Sequence, residues 1–446
     1  MRNPPTGAAA GLDIAIIGSG ISGLSAAWLL SQRHRVTVFE ADKRTGGHSN
    51  TVMAGTQPVD TGFIVYNEAT YPNLTALFRH LGVPTRRSNM SFAVSLDDGR
   101  LEYAGSPSGL LAQPGNLVSR RFWTMLRDLL RFYREAPRDS GIAHMTLDAY
   151  LDARGYGRAV REDHLYPMAA AIWSTPALEI GDYPAAAFIR FCDNHGLLQL
   201  VGRPQWRTVD GGSRVYVERL TRGFADRIET GNPVKALRRI AGGVEVTDGS
   251  GAVRRFDHAV IGTHADQALA LLADPTEEEG RVLSAFRYST NEAVLHSDAA
   301  LMPKRRAAWS SWNYLSASGA ERRLSVTYWM NRLQELRSDV PLFVTLNPLR
   351  PPREDSVIRR ETYQHPLFDQ AAIAAQERLW SLQGVGNTWF CGAHFGSGFH
   401  EDGLQSGLAV AEDLGGVRRP WQVAGESDRI RITRPALHPA PLGLAG

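Results

Sequence analysis

The stretch IAIIGSGISG, residues 14–23, decides the fold of this chain. An apolar run precedes Gly18, Gly20 and Gly23, and a helical pattern, ISGLSAAWLLSQRH, follows the first two glycines. The next segment, RVTVFEA, is apolar and β-branched, which favours a second buried strand. A strand, a glycine-rich turn, a helix and a strand in this order predict a βαβ unit whose turn cradles the pyrophosphate of a dinucleotide.

Each glycine of this turn has its own physical role. Gly18 permits the tight turn, Gly20 lets the backbone approach the pyrophosphate, and Gly23 lets the helix pack closely on the strand. The helix N-terminus offers unpaired N–H groups to the anion. Glu40, at the end of the second strand, is placed to accept hydrogen bonds from both ribose hydroxyls, and its charge would repel a 2′-phosphate. NADP is therefore disfavoured, whereas NAD and FAD both fit.

A second group of glycines separates NAD from FAD. The segment ADKRTGGHSNTV carries Gly46 and Gly47 just after the second strand, and VDTGFIVYN carries Gly62. An NAD-binding domain has no need of further close backbone approach there, whereas a flavin extends the ligand past the pyrophosphate. The pattern favours FAD.

Composition limits the class of function. At 446 residues the chain is long enough for two domains, with 43% hydrophobic and 21% charged residues. The 49 basic and 46 acidic side chains leave a formal charge of +3 and no long basic run, which argues against a nucleic-acid partner. Cys192 and Cys391 lie in no CxxC spacing, so neither a disulfide framework nor a metal site is expected. No run of about 18 apolar residues occurs, and a soluble cytoplasmic protein is expected.

A middle segment predicts a return to the nucleotide-binding sheet. The sequence WRTVDGGSRVYVERLTRG places Ser213 as the N-cap of a short helix that ends at Gly223. Three short antiparallel strands joined by glycine-rich turns follow, and the apolar strand HAVIGT comes after them.

The segment NTWFCGAHFGSGFHEDGLQSGLAVAEDLGG predicts the last return, as a strand, a glycine-rich loop and a helix. Asp402 would cap this helix and Gly415 and Gly416 would terminate it. The N–H groups of Gly403 and Leu404 would stabilise negative charge on a reduced flavin, an effect of about 1–2 kcal/mol. Because so small an effect cannot make an unactivated C–H bond react, the substrate should offer an activated hydrogen, allylic or next to a heteroatom.

These segments together resemble the flavin amine oxidase and phytoene desaturase superfamily, most clearly in GSGISGLSAAWLL and VTVFEADKRTGGHSNTV. The resemblance implies an α/β fold in which an FAD-binding Rossmann-like domain of the glutathione-reductase type is interleaved with an α+β substrate domain. The implied FAD-binding domain comprises residues 11–70, 205–285 and 384–421, the substrate domain comprises residues 71–204 and 286–383, and residues 422–446 form a C-terminal tail.

The resemblance also implies which residues hold FAD. They are Gly18, Gly20, Ser22 and Gly23 at the pyrophosphate, Glu40 and Ala41 at the ribose, Arg44, Gly46, Gly47 and His48 in the adjoining loop, Gly62, Val234 at the adenine, and Gly392, Asp402, Gly403 and Leu404. This chain departs from the superfamily at two places. His48 stands where an arginine usually follows the glycine pair, and Ala393 and His394 stand where an acidic residue often follows the last strand.

The segments between these returns would form the substrate domain. Residues 165–178, LYPMAAAIWSTPAL, are free of charge and form either an apolar tunnel wall or a plain buried helix pair. Residues 119–138 predict an amphipathic helix with Arg127, Arg131 and Arg134 on the face opposite its apolar residues. Such a helix either covers its own core or makes a peripheral contact with an anionic membrane.

Lysine is scarce, and its positions bear on the substrate. Lys43, Lys235 and Lys304 are the three lysines of the chain. Many flavin amine oxidases place a lysine near the flavin nitrogen that accepts the hydride, but the matching strand here, NEAVLHSD, has none. The resemblance to amine oxidases therefore argues for the fold more than for amine oxidation.

A closer resemblance, to a bacterial branch associated with cyclopropane fatty acid synthases, rests on AIWS, NHGLL, RPQWRTVDGGSRVYV, THADQAL, SSWNY and GFHEDGLQSG. It implies an FAD-dependent oxidoreductase that desaturates unsaturated or methylated fatty acyl chains of phospholipids by hydride transfer to flavin. The alternatives are a flavin amine oxidase, a redox-neutral fatty-acid double-bond isomerase, and a non-catalytic flavoprotein partner of a lipid methyltransferase.

Loss of a proton next to the carbon that gives up the hydride needs a base. The candidates are His195, His394, His400 and Glu401, of which we select His400 and Glu401 as the catalytic residues. The alternative role of the histidines is hydrogen-bonded scaffolding, and that of Glu401 is stabilisation of the helix N-terminus.

Overall fold

The computed structural model describes residues 11–142, 144–173, 180–194, 196–199, 202–317 and 324–433. Its strands, in chain order, are β1 Asp13–Ile17, β2 Arg35–Glu40, β3 Thr51–Ala54, β4 Gln57–Asp60, β5 Tyr66–Asn67, β6 Thr85–Arg87, β7 Phe92–Leu96, β8 Leu101–Ala104, β9 Trp206–Val209, β10 Ile228–Thr230, β11 Ala236–Ile240, β12 Gly243–Thr247, β13 Val253–Phe256, β14 His258–Ile261, β15 Arg287–His296, β16 Trp312–Ser316, β17 Leu324–Trp329, β18 Phe343–Leu346, β19 Val357–Leu367 and β20 Thr388–Phe390. Its α-helices are α1 Ile21–Leu30, α2 Pro72–His80, α3 Pro107–Leu110, α4 Arg120–Glu135, α5 Leu147–Ala153, α6 Arg158–Val160, α7 Tyr166–Trp173, α8 Ala185–Asn194, α9 Arg214–Thr221, α10 Ala265–Leu271, α11 Glu277–Leu283, α12 Met330–Leu333, α13 Gln370–Leu379 and α14 His400–Gly415.

A five-stranded parallel sheet, in the order β10-β2-β1-β14-β20, carries the glycine-rich turn. Its central strand β1 pairs in parallel with β2 on one side and with β14 on the other. The strand is apolar and almost wholly buried, as a parallel strand covered on both faces requires. The predicted βαβ unit is confirmed. Helix α1 ends at Leu30, short of the predicted end at His34, whose Nε2 lies 2.9 Å from the carbonyl oxygen of Gly415.

The segment after α9 forms the predicted antiparallel meander, in the order β11-β12-β13. Strand β14 then returns to the parallel sheet, where it lies between β1 and β20. Helix α9 begins directly after Ser213, but the predicted capping role of this serine is wrong. Its hydroxyl donates a hydrogen bond to Asp60 at 2.8 Å instead of accepting one from the helix.

A second sheet of seven strands has the order β19-β15-β18-β17-β16-β7-β8. Strands β7 and β16 pair in parallel, and the other neighbours are antiparallel. The sheet shares a hydrophobic core with helices α4, α5, α7 and α8, which includes Val94, Phe122, Tyr150, Phe188 and Leu295. A separate core surrounds the parallel sheet. The domain boundaries given above stay predictions.

Helix α14 packs closely against helix α1. A Cβ atom on Gly403 would come within 2.9 Å of the Ile21 side chain, and one on Gly407 would overlap the carbonyl of Ser22. Glycine at these two positions therefore allows the close approach of the two helices. As a result the last helix of the described chain begins beside the glycine-rich turn of the first.

The start of α14 differs from the prediction. The helix begins at His400, whereas Asp402 was predicted to precede it as the cap. Asp402 instead caps from the third helical position, where its Oδ2 accepts the N–H groups of Ser397 at 3.0 Å and Phe399 at 2.8 Å. The predicted end is confirmed, because Gly416 follows the helix in the left-handed region at φ +58°.

The shifted start changes which N–H groups come first at the helix end. The N–H group of Gly403 donates to the carbonyl of Phe399 at 3.1 Å and is not available to a ligand. The first N–H groups of the helix belong to His400 and Glu401. Our expectation that Gly403 and Leu404 present their N–H groups to the flavin is corrected accordingly.

In the part of the chain that the structure describes, no helix is both long enough and apolar enough to cross a bilayer.

Candidate functional site

A cavity of about 1600 Å³ extends from the parallel sheet into the second half of the molecule. Its nucleotide end is lined by Gly18, Gly20, Glu40 and Val234, among others. Its other end, here called the chamber, is lined by residues of β7, α4, α7, α8 and β16. The volume exceeds the roughly 300–1,000 Å³ of typical small-molecule sites. There is room for an extended ligand and for a second molecule beside its far end.

The glycines of the first turn divide into two kinds. Gly18 has φ +98°, and a Cβ atom on Gly23 would overlap the carbonyl of Gly18, so both are required by the fold itself. None of the described residues comes within 4 Å of the Cβ position of Gly20, although this glycine lines the cavity. Gly20 thus leaves open space for a ligand, as expected for backbone that approaches a pyrophosphate.

Glu40 closes the nucleotide end. Its Oε2 accepts the N–H group of Ser19 at 2.8 Å, and its Oε1 accepts that of Asp42 at 2.8 Å. The Ser19 hydroxyl also donates to Oε2, at 2.5 Å. A carboxylate offers about four lone-pair directions, so Glu40 can still accept one further hydrogen bond, from a ribose hydroxyl.

The structure brings part of the predicted site together in the cavity wall and places the rest behind it. In the wall lie Gly18, Gly20, Ser22, Glu40, Ala41, Gly47, His48, Gly62, Val234, Gly392 and His400, together with His394. Behind the wall lie Gly23, Arg44, Gly46, Glu401, Asp402, Gly403 and Leu404. His195 lies outside the described residues.

Two of the residues behind the wall support the loop that faces the ligand. The N–H group of Gly46 donates to the carbonyl of Ser19 at 3.0 Å, and its φ of +112° suits glycine. Arg44 pairs with Asp42 at 3.4 Å and does not line the cavity.

The two predicted catalytic residues occupy different environments. Glu401 is fully buried away from the cavity, and its carboxylate accepts the N–H groups of Asn73 at 3.0 Å and Leu74 at 2.9 Å. The side-chain amides of Asn73 and Gln405 donate to it as well, at 2.9 and 3.1 Å. Glu401 therefore anchors the start of α2 to α14, which is a structural role.

His400 lines the cavity. Its ring stacks on Phe63 with 3.8 Å between centroids, and its Nε2 lies 2.7 Å from the hydroxyl of Tyr216 and 3.2 Å from that of Ser49. Burial lowers the pKa of His400 to about 3, so the imidazole is neutral at physiological pH. The Tyr216 hydroxyl fixes the orientation of this imidazole at the cavity wall, and a pKa this low makes the ring a weak base.

A group of rings that sequence reasoning largely missed lies at the centre of the cavity. The ring of His48 is 5.0 Å from that of Tyr363 and 5.5 Å from that of His365, and His264 stacks on Tyr288 at 4.3 Å. All five line the cavity. The alternation of Tyr363 and His365 along the strand sequence TYQHP was the pattern that could have indicated them.

These central histidines carry little charge. Burial lowers the pKa of His365 to about 4, and burial together with neighbouring His365, His264, His400 and Arg44 holds the pKa of His48 well below its usual value. The position at which the superfamily usually has an arginine is therefore uncharged in this chain.

The chamber is built from apolar and aromatic side chains. They are Met90, Phe92, Tyr103, Leu110, Trp123, Leu126, Leu129, Leu130, Tyr133, Met168, Ala171, Ile172, Phe191, Leu197, Trp206, Trp312, Tyr328, Leu346 and Phe399. Phe191 and Phe399 stack with 4.7 Å between centroids. The charge-free segment 165–178 contributes Met168, Ala171 and Ile172, so its described part does form a cavity wall.

The charged residues of the chamber are of one sign. Among the described residues that line it, Arg127, Arg203 and Arg332 carry charge and no carboxylate does, because Glu40 and Asp42 lie at the nucleotide end. Neutral polar side chains interrupt the apolar wall at Asn89, Ser91, Ser106, Tyr103 and His164. The Tyr103 hydroxyl lies 2.9 Å from Nδ1 of His164, and burial lowers the pKa of His164 to about 4.

The residues of the nucleotide end and of the centre fit FAD. The open backbone at Gly20 suits a pyrophosphate, and the remaining acceptor direction of Glu40 suits a ribose hydroxyl. In the described part of the chain, Nε2 of His48 and Nε2 of His394 are buried without a hydrogen-bond partner, and both residues line the cavity. An elongated polar ligand would satisfy these atoms, whereas an apolar one would leave them unpaired.

The chain matches the family model described as flavin containing amine oxidoreductase over residues 21–339. It is 24% identical over 366 residues, 78% of its length and 72% of the relative, to a Mycobacterium tuberculosis protein named as a flavin-containing monoamine oxidase, AofH. It is 36% identical over 113 residues to protoporphyrinogen oxidase 2 of Arabidopsis thaliana, a match that covers 25% of this chain and 22% of the relative. The names of these two relatives refer to different substrates, a porphyrinogen and a monoamine.

Solved structures share the fold at low identity. Putrescine oxidase bound to putrescine matches with a TM-score of 0.64 and 14% identity, over 91% of this chain and 99% of the other. The CLA-producing fatty acid isomerase from P. acnes matches with a TM-score of 0.64 and 16% identity, over 90% of this chain and 97% of the other. Since amine and lipid enzymes match equally well, the fold alone does not select the substrate.

Proposed function

The chain belongs to the family of flavin-containing amine oxidoreductases, and from that premise we propose that it desaturates unsaturated or methylated fatty acyl chains of phospholipids with bound FAD. The observation that carries this proposal is the composition of the chamber. Its wall is apolar and aromatic, and its charged residues, as far as the structure describes them, are arginines. An acyl chain suits such a wall, and the anionic end of a lipid suits the arginines.

The same observation disfavours a polyamine. Aliphatic amines are cations at neutral pH, and a site for them gains most from a carboxylate. The chamber, in its described part, offers Arg127, Arg203 and Arg332 instead. The resemblance of the sequence to the branch associated with cyclopropane fatty acid synthases points the same way.

The reaction we propose removes a hydride and a proton from neighbouring carbons and leaves a new carbon–carbon double bond. FAD, when bound, supplies the acceptor for the two electrons and the hydride. The chamber holds the chain against the centre of the cavity and excludes water from it. His400 takes the proton, because its ring lines the cavity and is oriented by the Tyr216 hydroxyl at 2.7 Å.

A second candidate is the oxidation of a porphyrinogen. An aromatic chamber with several arginines also suits a large ring that carries carboxylates. A relative named coproporphyrinogen III oxidase, from Mycobacterium leprae, is 24% identical over 73% of this chain and 75% of its own length. A redox-neutral double-bond isomerase remains a variant of the lipid proposal, given the fold shared with the P. acnes enzyme.

We also propose that residues 119–138 touch the membrane from which the lipid comes. One face of α4 is buried in the core through Phe122, Met125 and Phe132. The other exposes Trp123 and Leu130, which are each 50% exposed and also line the chamber. Val118, just before the helix, is 87% exposed. Apolar side chains flanked by arginines are the pattern of an interfacial helix.

The test is to mix the purified holoenzyme with each candidate substrate under anaerobic conditions. Reduction of the flavin is monitored as loss of its visible absorbance. A phospholipid with an allylic or methyl-branched acyl chain should bleach the flavin, and putrescine or a porphyrinogen should not. Bleaching by an amine or a porphyrinogen alone would replace the proposal with the corresponding alternative. If no compound bleaches the flavin and a lipid methyltransferase co-purifies, the chain is a non-catalytic partner of that enzyme.

A further inference from the structure

A smaller polar pocket adjoins the chamber. Its volume is about 390 Å³, and its wall consists of Ser91, Ser106, Ser108, Arg306, Ala307, Trp309, Ser310, Trp329 and Arg332. Ser91, Ser106 and Arg332 also line the main cavity, so the two spaces share a boundary. The change from apolar chamber to polar pocket takes place across these residues.

The pocket carries positive charge that the described protein does not neutralise. Neither Arg306 nor Arg332 has a carboxylate partner within ion-pair distance among the described residues, although most arginines of the chain do. The neighbouring Arg305 illustrates the usual case, since it pairs with the buried Glu102 at 2.9 Å. Two unpaired guanidinium groups at one pocket favour an anion there.

Both arginines are positioned rather than loose. The guanidinium of Arg306 lies 4.4 Å from the ring centroid of Trp309, and Nη1 of Arg332 donates to the carbonyl of Trp309 at 3.4 Å. One tryptophan thus orders both cations. Such ordering lowers the entropy lost when an anion binds.

Further hydrogen-bond donors line the same pocket. The Ser106 oxygen accepts the N–H group of Gly109 at 3.0 Å and lies 3.5 Å from the hydroxyl oxygen of Ser108, which is an exposed residue. At least one of these two hydroxyl protons can be donated to a ligand. Nε1 of Trp329 is buried without an acceptor among the described residues. Hydroxyl, indole and guanidinium donors together match a group with several oxygen acceptors and no proton to offer.

We propose that this pocket binds the phosphate group of a phospholipid whose acyl chain lies in the chamber. The proposal rests on the proposed function and adds to it the part of the substrate that is recognised. Two arginines and several neutral donors suit a phosphate ester, which carries negative charge and accepting oxygens. The shared boundary at Ser91, Ser106 and Arg332 lets one molecule occupy both spaces.

Calorimetric titration of the FAD-loaded protein tests this subsite without any need for turnover. The ligands are dihexanoyl phosphatidic acid, dihexanoylglycerol, which is the same lipid without its phosphate, and glycerol phosphate. Wild-type protein should bind the phospholipid about tenfold or more tightly than the neutral lipid. The double variant Arg306→Gln/Arg332→Gln should bind both lipids alike.

Arg337→Gln is the matched control, because Arg337 is an exposed arginine that lines neither space. It should keep the wild-type preference. Unchanged flavin content and melting temperature in the double variant establish that it is folded. Should either fall, the charge-preserving Arg306→Lys/Arg332→Lys variant replaces it and should retain part of the preference.

Equal binding of the two lipids by wild-type protein, or a preference that survives in the double variant, would overturn the subsite. Glycerol phosphate that binds as tightly as the phospholipid would also overturn it, because the pocket would then serve free phosphate esters. The subsite and the proposed function fail separately. Flavin reduction by lipid with no phosphate preference removes the subsite alone, and phosphate preference without flavin reduction removes the desaturase activity alone.

Discussion

The two ends of the cavity are walled by different parts of the polypeptide. At the nucleotide end the wall includes glycine backbone, where Gly18 has φ +98° and Gly20 leaves open space toward the cavity. In the chamber the wall is side chains, such as Leu126 and Phe191. A backbone wall requires particular residues at fixed spacing, whereas one apolar side chain can replace another of similar size at little cost. The cofactor is therefore encoded by local spacing, and the substrate by the shape and charge of a distant surface.

The largest effect is expected from substitutions in the glycine-rich turn at the nucleotide end. Gly23→Ala should abolish bound FAD and lower the melting temperature, because the new Cβ atom overlaps the carbonyl of Gly18. Gly20→Ala is the matched control: its Cβ atom meets only open space, so the melting temperature of the apoprotein should stay unchanged while FAD affinity falls. Flavin absorbance per protein and thermal unfolding measure both. Equal changes in FAD content and melting temperature in the two variants would contradict the distinction between a glycine required by the fold and one required by the ligand.

The neighbouring residues His400 and Glu401 sharpen the contrast between cavity and scaffold. His400→Asn should lower the rate of flavin reduction by lipid about 100-fold or more, with FAD still bound, because the base is lost. Glu401→Gln should leave that rate nearly unchanged in the folded protein and lower the free energy of unfolding by about 1–3 kcal/mol, because its hydrogen bonds hold α2 to α14. Stopped-flow reduction and denaturant unfolding separate the two. A catalytic loss from Glu401→Gln with unchanged stability would reverse the assignment.

A smaller effect is expected when a carboxylate is introduced into the chamber wall. Leu126→Glu places a carboxylate in the apolar wall and should weaken binding of the acyl substrate about tenfold to a hundredfold while FAD content stays normal. Thr124→Glu, on the same helix but outside the cavity wall, is the control and should bind lipid like the wild type. The measurement is the lipid concentration for half-maximal reduction rate. Equal losses in both variants would mean that the chamber does not hold the acyl chain.

The last prediction concerns the dependence of stability on pH. Burial lowers the pKa of His164 to about 4 from the usual 6.5, so the unfolded protein binds a proton below pH 6.5 that the folded protein refuses. The contribution of His164 to the free energy of unfolding is fully present above pH 6.5 and is lost as the pH falls toward 4. His296, with a pKa lowered by burial to about 4, has the same effect. Asp60, whose pKa burial raises to about 6, opposes it, because its contribution is largest below pH 3.8 and is lost as pH rises through 6.

A variant isolates this dependence on pH. Between pH 7 and pH 4.5, the free energy of unfolding of His164→Gln should fall by up to about 3 kcal/mol less than that of the wild type. Denaturant unfolding of matched samples at the two pH values measures the difference. An unchanged slope in the variant would mean that His164 titrates normally in the folded protein.

Sequence reasoning succeeded where the determinants are adjacent in the chain. Gly18, Gly20 and Glu40 lie within one strand–turn–helix–strand unit, and the local spacing alone places them at one edge of the sheet. The start of α14 was missed because Asp402 caps from inside the helix, a choice that the hydrogen bonds to Ser397 and Phe399 reveal and the sequence does not.

The central rings and the side pocket could not be predicted for a different reason. His48 meets Tyr363 and His365 only because β19 of the second sheet comes to lie against the loop after β2. Arg306 and Arg332 likewise come together through tertiary packing on Trp309. Contacts between residues so far apart in the chain leave no periodic pattern in the sequence.

The coupling of a flavin-binding end to an acyl-chain chamber can be tested by measuring the mass of the acyl chains after reaction. The holoenzyme is incubated with an unsaturated phospholipid under turnover conditions, and the acyl chains are recovered and weighed by mass spectrometry. Desaturation predicts acyl chains lighter by two hydrogen atoms. Chains of unchanged mass and structure, from protein whose flavin is oxidised and intact, would contradict it.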